Sequence, residues 1–475
     1  MDYKKALFII CAAAFILRLS LVLQAQSFDY SAYETIRQVE NIKDTGLPII
    51  HDTLSAAGRT SLPLPVFPYL LAFSTLFMPD KYAFLIVPSL FAVLLQLALF
   101  YLILELTNDT RLSLLGAAAS IFLPSYMSAT LLTLSAATIA IPMFIVIVTL
   151  FLKLRKTQEK RNVLLALFIL LSFTHSLAIL FIPFVVLSML LMSIKRARGE
   201  TGQLEFAIFS IFYLVWFYLL LYKRSLEELG ARTLQANIPS AALAAVYSDV
   251  NIFTVTAAIG VIPFGLMLYT AYKEGNGEHL GILTTLSLAI TLAVIIILQL
   301  IPLELGTALF SAVCIALAIV GVQHLWRYSR TLRKKTVPHV AAAAIAALFI
   351  LTSVLPTVIS GIDSVQHTAD PNVLDAASWL SQNSLQTNIV LAQPEWGFAI
   401  ETVAKRPAYI DEHYLDVPDA SERYELVQEL LSSKQPSIEA HEAHVDYIMS
   451  AEKLNDPCIN TVYGSKVYIG KVLCK

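Results

Sequence analysis

Long apolar runs separated by short charged turns fill the first three quarters of the chain. Eleven of them stand out, at about 6–24, 82–106, 112–132, 134–154, 162–174, 177–194, 204–222, 252–272, 280–301, 303–326 and 338–358. A charge-free run of about 18 residues is long enough to cross a bilayer as a helix. The fifth and sixth runs are short and only Thr174, His175 and Ser176 part them, so one long kinked helix is the alternative. Residues 63–79 are apolar but broken by prolines, which suits a re-entrant or interfacial piece. The first run follows Lys4 and Lys5 and continues too far for a cleaved leader, so it reads as a retained helix.

From about residue 360 the pattern changes. Helical periods over 372–383 and 421–433 alternate with strand-like pieces at 388–392, 445–450 and 461–472. The expected organisation is a polytopic α-helical membrane domain over 1–359, with a first outer loop at 25–81, followed by a small α+β domain over 360–475. The stretch 462–469 reads as a hairpin turning at Gly464–Ser465.

Composition supports this division. Of 475 residues, 57% are hydrophobic and only 14% charged, against roughly 25% charged in soluble proteins. A net charge of −2 gives no basis for nucleic-acid binding. Basic residues then set the orientation, because short cytoplasmic loops carry excess Lys and Arg. Lys4 and Lys5, Arg111, the cluster at 153–161, the cluster at 195–198, Lys273 and the cluster at 327–335 all fall on one side of an eleven-span layout. That side is the cytoplasm, which leaves 25–81 and the tail outside a cell membrane. In an oxidising compartment Cys458 and Cys474, which flank the hairpin, either pair as a disulfide or remain free thiols.

Candidate chemistry gathers on the outer face. Asp29 lies about five residues beyond the first apolar run, where a carboxylate can take a proton from an incoming hydroxyl or simply cap a helix. Arg18 sits inside the first span, roughly 9 Å below its outer end. It can snorkel to the surface or grip a lipid-linked phosphate. Asp52, near His51 and Arg59, is a candidate for holding a sugar or a divalent metal. His175 can hydrogen-bond a phosphate or join and cap two helices. Glu304 faces outward at the start of the tenth run. Trp396, followed by Gly397, suits sugar-ring stacking or the core of the tail.

These residues carry a resemblance. An Arg in the first span, "FDYSAYETIRQVENIKDTGLP", a Gly-Arg before proline-spaced apolar residues, and "LSFTHSLAILFIP" together resemble the GT-C superfamily of membrane glycosyltransferases. Protein mannosyltransferase-like and aminoarabinose-transferase-like members match best, over about the first 190 residues. The resemblance implies inverting transfer of a sugar from a polyprenyl-phosphate donor to a glycan, lipid or protein acceptor on the outer face. It implies Asp29 as the base, Tyr33 as the aromatic that follows it, and Arg18 and Arg59 near the donor phosphate. The family often has an acidic pair where this chain has Asp29–Tyr30, so a second carboxylate here would come from Asp52 or Glu34. "PEWGF" resembles the oligosaccharyltransferase "WWDYG" region but lacks its aspartate, and the resemblance fixes no metal. The rival readings are a transporter or flippase of a lipid-linked glycan and a catalytically inactive scaffold.

Overall fold

The computed structural model describes the chain except residues 1, 56–57, 61–63, 155–159, 196–200, 224–225, 228–238, 243, 245–256, 275–278, 330, 332–335, 415–416, 418, 434–439, 441–442 and 474–475. Most of the loop at 223–250 and parts of the basic clusters therefore lie outside the described residues. Two compact units divide the chain. One comprises Met1–Gln24, Phe77–Phe217 and Val250–Gln366, and the other comprises Ala25–Leu76, Tyr218–Asp249 and His367–Lys475.

The first unit is helical. Seven described helices are long and apolar enough to cross a membrane, or eight if the bent pair Thr110–Ala119 and Pro124–Thr130 is one span. Two more apolar helices, Ala137–Lys153 and Arg161–Thr174, are shorter. The chain is that of a multi-pass membrane protein. Helix α1, Tyr3–Val22, covers the first run. The helix Leu303–Ser329 is the hub, buried on every side from Gly306 to Gly321. Gly321 explains one close approach: a Cβ there would lie 2.8 Å from the Leu266 carbonyl oxygen. Small residues let membrane helices pack backbone to backbone in this way. The Arg161–Thr174 helix stops at His175, whose extended backbone separates it from the 3₁₀ turn Ser176–Leu180.

The second unit joins the first-loop segment to the tail. Helix α2 (Ala32–Thr45) ends at Gly46, whose φ of +79° closes the last turn through an N–H bond to the Ile42 carbonyl. Strands β1 (His51–Asp52) and β2 (Arg59–Thr60) form a short antiparallel ribbon. Helix α3 (Val66–Ser74) covers part of the proline-broken stretch; at nine residues it is too short to span a bilayer. In the tail, β3 (Val390–Leu391), β4 (Tyr447–Ser450), β5 (Ile459–Gly464) and β6 (Tyr468–Val472) form one sheet in the order β3-β4-β6-β5. The β3–β4 pair is parallel and the other two are antiparallel. The β5–β6 hairpin turns after Gly464, where the Ser465 N–H donates to the Val467 carbonyl. The expected helices appear as Pro371–Asn383 and Ala420–Ser432. Asp370 caps the first of these, with proline at its opening position.

The segment at 407–409 ties the two pieces of this unit together. Ala408 bridges Val390 on one side and Ser55 on the other, both in parallel sense. A residue from the first loop thereby extends the tail sheet by one position. Cys458 is disulfide-bonded, while Cys474 lies outside the described residues.

Candidate functional site

Asp29 opens α2. Its Oδ1 accepts hydrogen bonds from the Ser31 N–H (2.9 Å) and hydroxyl (2.6 Å), and its carbonyl accepts from the Ala32 N–H. This is an Asx turn, a local bond that short acidic side chains favour, set just ahead of the N-cap residue Ser31. It leaves Oδ2 without a hydrogen-bond partner among the described residues, on a half-buried side chain.

The backbone around Asp29 is held from both sides by the start of the tail. The Ser27 hydroxyl donates to the Ala369 carbonyl, the Ala369 N–H donates to the Phe28 carbonyl, and the Asp370 N–H donates to the Tyr30 hydroxyl at 3.0 Å. Tyr33 is buried against Ala369, Phe398 and Ala399. Burial pushes its hydroxyl up to about 12. A carboxylate fixed on both flanks by hydrogen-bonded neighbours loses little freedom when a reaction geometry forms.

One helical turn further along α2, a buried ion cluster begins. Arg37 donates through Nη1 to Asp52 Oδ1 at 3.1 Å and pairs with Asp52 Oδ2 through Nη2. Arg59 donates to the same Asp52 Oδ2 at 2.9 Å and grips both oxygens of Asp411 from Nη1, at 2.8 and 2.9 Å. Arg37 Nη2 also stands 2.9 Å from Glu401 Oε2. That contact is not aligned as a hydrogen bond, and neither Glu401 oxygen has a hydrogen-bond partner among the described residues. Arg59 is 2% exposed and Glu401 0%, so these charges persist only through one another. Beside them, His413 Nδ1 lies 3.3 Å from Glu34 Oε1.

The charge states follow from this packing. Burial alone would raise the Asp52 carboxyl, but the two guanidinium groups hold it below the usual carboxylate range. Glu34 behaves alike, with His413 first among the groups that outweigh its burial. For both arginines burial works against the charge, and the surrounding carboxylates more than restore it. Glu401 goes the other way. Burial and then the negative charge of Asp411 push it well above a normal glutamate, and Arg37 offsets only part of this.

Asp52 and Arg59, read from sequence as ligands for a sugar or phosphate, are thus each other's partners in the interior. Arg37, Glu401 and Asp411 were not singled out. Arg37 falls four residues after Tyr33 on the buried stripe of α2 that also carries Val39 and Ile42. A cation on such a stripe demands a buried anion, and that is the signal from which the cluster could have been found. Trp396 is in the tail core, packed with Leu380, Ile400, Tyr447 and Ile469. Gly397 follows it where the Ile410–Asp411 backbone passes: a Cβ would come within 2.6 Å of the Ile410 oxygen and 2.7 Å of Asp411 Cα. Gly397→Ala is expected to cost about 1–3 kcal/mol, the range for overpacking, readable as a lowered unfolding temperature.

The remaining candidates lie in the helical unit. Arg18 is buried and donates through Nη2 to the Thr130 carbonyl (2.8 Å) and hydroxyl (2.7 Å), with its guanidinium over the Tyr126 ring. Its Nε has no partner among the described residues. His175 caps the following turn, accepting from the Leu177 N–H at 3.0 Å. Glu304 lines a cleft of about 350 Å³ whose walls include Leu303 and Pro356 and the hydroxyls of Ser125, Ser128, Thr307 and Ser360. No group of three or more His, Cys, Asp or Glu side chains is placed to hold a metal ion among the described residues.

No protein-family model and no curated protein matches this chain. Solved structures do. The chain is similar to the archaeal oligosaccharyltransferase AglB from Archaeoglobus fulgidus in complex with an inhibitory peptide and a dolichol-phosphate. That match has a TM-score of 0.66 at 14% identity and covers 95% of this chain and 70% of AglB. It is also similar to ArnT from Cupriavidus metallidurans in the apo state, with a TM-score of 0.62 at 12% identity over 99% of this chain and 98% of ArnT. The mycobacterial arabinofuranosyltransferase AftD matches 98% of this chain with 41% of its own, at a TM-score of 0.60 and 14% identity. The chain therefore shares the fold of these glycosyltransferases, the fold that the resemblance to the GT-C superfamily implies.

Proposed function

We propose that this protein is a membrane glycosyltransferase that moves a sugar from a polyprenyl-phosphate donor to an acceptor on the outer face, with inversion at the anomeric carbon. The observation that carries this reading is the carboxylate of Asp29: Oδ1 is fixed by Ser31 and Oδ2 is free of hydrogen-bond partners among the described residues. In the proposed step Oδ2 takes the proton of the acceptor hydroxyl while its oxygen attacks the anomeric carbon. The bond from that carbon to the phosphate oxygen breaks, and its electron pair leaves with the polyprenyl phosphate. The fold supports this reading, since AglB and ArnT are recorded with dolichol-phosphate and undecaprenyl phosphate. The cleft at Glu304 is walled mainly by apolar surface, a lining suited to a hydrocarbon chain.

The test uses purified protein in detergent with a panel of polyprenyl-phosphate sugars and a glycolipid and glycoprotein extract. Release of free polyprenyl phosphate together with a labelled acceptor is expected. Movement of an intact lipid-linked sugar across vesicles, with no covalent product, would establish the flippase instead. Reporter fusions within 25–76 are expected on the outer face; a cytosolic signal would place Asp29 away from the acceptor and end this mechanism.

A further inference from the structure

We infer that Glu401 is a positioning residue for the Asp29 carboxylate, registering α2 against the tail as a neutral carboxylic acid. The inference rests on the reading of Asp29 given above, and goes beyond it by naming what holds that residue in place.

The geometry is a grip by consecutive residues. Thr402 donates its hydroxyl to the Tyr33 carbonyl at 2.9 Å, and Glu401 stands 2.9 Å from Arg37. Positions 33 and 37 are one turn apart on α2, and Asp29 lies in the turn that leads into its first residue, Ala32. Both gripping residues lie in the π-helical turn Ile400–Ala404. Such turns are rare, and are frequent at functional sites. Glu401 and Thr402 therefore set the rotation and height of the helix that presents Asp29.

The neutral state follows from the neighbours. Two guanidinium groups, Arg37 from α2 and Arg59 from β2, face three carboxyl groups, Asp52 from β1, Asp411 and Glu401. Asp52 and Asp411 take aligned hydrogen bonds from the guanidinium groups, and Glu401 takes none. The remaining facing groups, Glu34 and His413, pair with each other. A proton on Glu401 balances the enclosed charge and spares the cost of a buried, unpaired anion. Its raised affinity for that proton agrees. A carboxyl group that holds its proton more tightly when folded makes the fold lose stability as pH climbs past the ordinary value of 4.5, up to its own raised value. Asp52 and Glu34, both lowered, have the opposite sign and lose their contribution only in acid.

The full-length protein carrying Glu401→Gln or Glu401→Ala tests this. Wild-type protein should unfold at progressively lower temperature as pH rises above the ordinary glutamate value of 4.5. The Gln variant should show a flatter profile, since Gln mimics the neutral acid. Every other group is common to both proteins, so the difference between the two profiles reports Glu401. Turnover of the polyprenyl-phosphate sugar should fall at least about tenfold in kcat for the Ala variant with KM unchanged, and Gln should restore it to within about threefold. Identical pH profiles for wild type and Gln, or a Gln variant as impaired as Ala, would overturn the inference. Should Ala fail to fold, the Gln profiles decide alone. Asp29→Asn separates the two readings: retained turnover there removes the proposed base, whereas the unfolding profiles of the Glu401 variants stand apart from it.

Discussion

Asp29→Asn is expected to reduce sugar transfer by about 10²–10⁴-fold, the usual contribution of a general base, with no measurable change in unfolding temperature. The substitution isolates one property. Asparagine Oδ1 can accept the same two hydrogen bonds from Ser31 that aspartate accepts, so the start of α2 is preserved. What disappears is a group able to hold a proton. Asp29→Ala removes the two bonds to Ser31 as well, and its effect would mix lost catalysis with a loosened turn ahead of α2. Single-turnover measurement of polyprenyl phosphate release at saturating donor reads the chemical step directly. Turnover within twofold of wild type in the Asn variant would show that Asp29 does nothing beyond holding that turn.

Arg59→Ala is expected to be the most damaging change to the fold, costing about 3–5 kcal/mol, the penalty for breaking a buried pair from one side. Arg59 holds both oxygens of Asp411 and shares Asp52 with Arg37. Without it, Asp411 loses both guanidinium hydrogen bonds and Asp52 keeps only those from Arg37 and the Leu54 N–H among the described residues. The loss should appear as a large drop in unfolding temperature and as faster proteolysis of the tail. Arg59→Lys should fall between, because a single ammonium cannot reproduce the planar fork that reaches two carboxylates. An alanine variant that melts with the wild type would mean that these charges are already hydrated and that the cluster carries no weight.

The membrane half of the fold was legible because its signal is local. Eighteen apolar residues in succession declare a span wherever they occur, and the seven long described helices fall on apolar runs. The expected eleven spans are not reached among the described residues: the run at 112–132 is a pair bent by 56°, and those at 134–154 and 162–174 give shorter helices. The tail hairpin was equally readable, since alternation and Gly464 are neighbours in sequence. The site was legible in part. Asp29 could be placed at the head of a helix, but nothing near it in sequence reveals that Ala369 and Asp370 hold its flanks from 340 residues away. Asp52 and Arg59 stood out as charged residues in a loop, and charge alone does not distinguish a side chain waiting for substrate from one whose partner is Asp411, 352 positions on. His175 has the same ambiguity, and its ring nitrogen is bonded two residues ahead. Residue type announces a need for a partner; only the folded chain says which partner meets it.

The pairing of an early segment with a late one also sets a timetable for biosynthesis. Arg37, Asp52 and Arg59 leave the ribosome roughly 340–375 residues ahead of Glu401 and Asp411, and at 5–20 residues per second this means a wait of about 17–75 s. During that interval the polar faces of α2 and the β1–β2 ribbon stay hydrated, a fitting state for a segment that must remain unaggregated until its mate arrives.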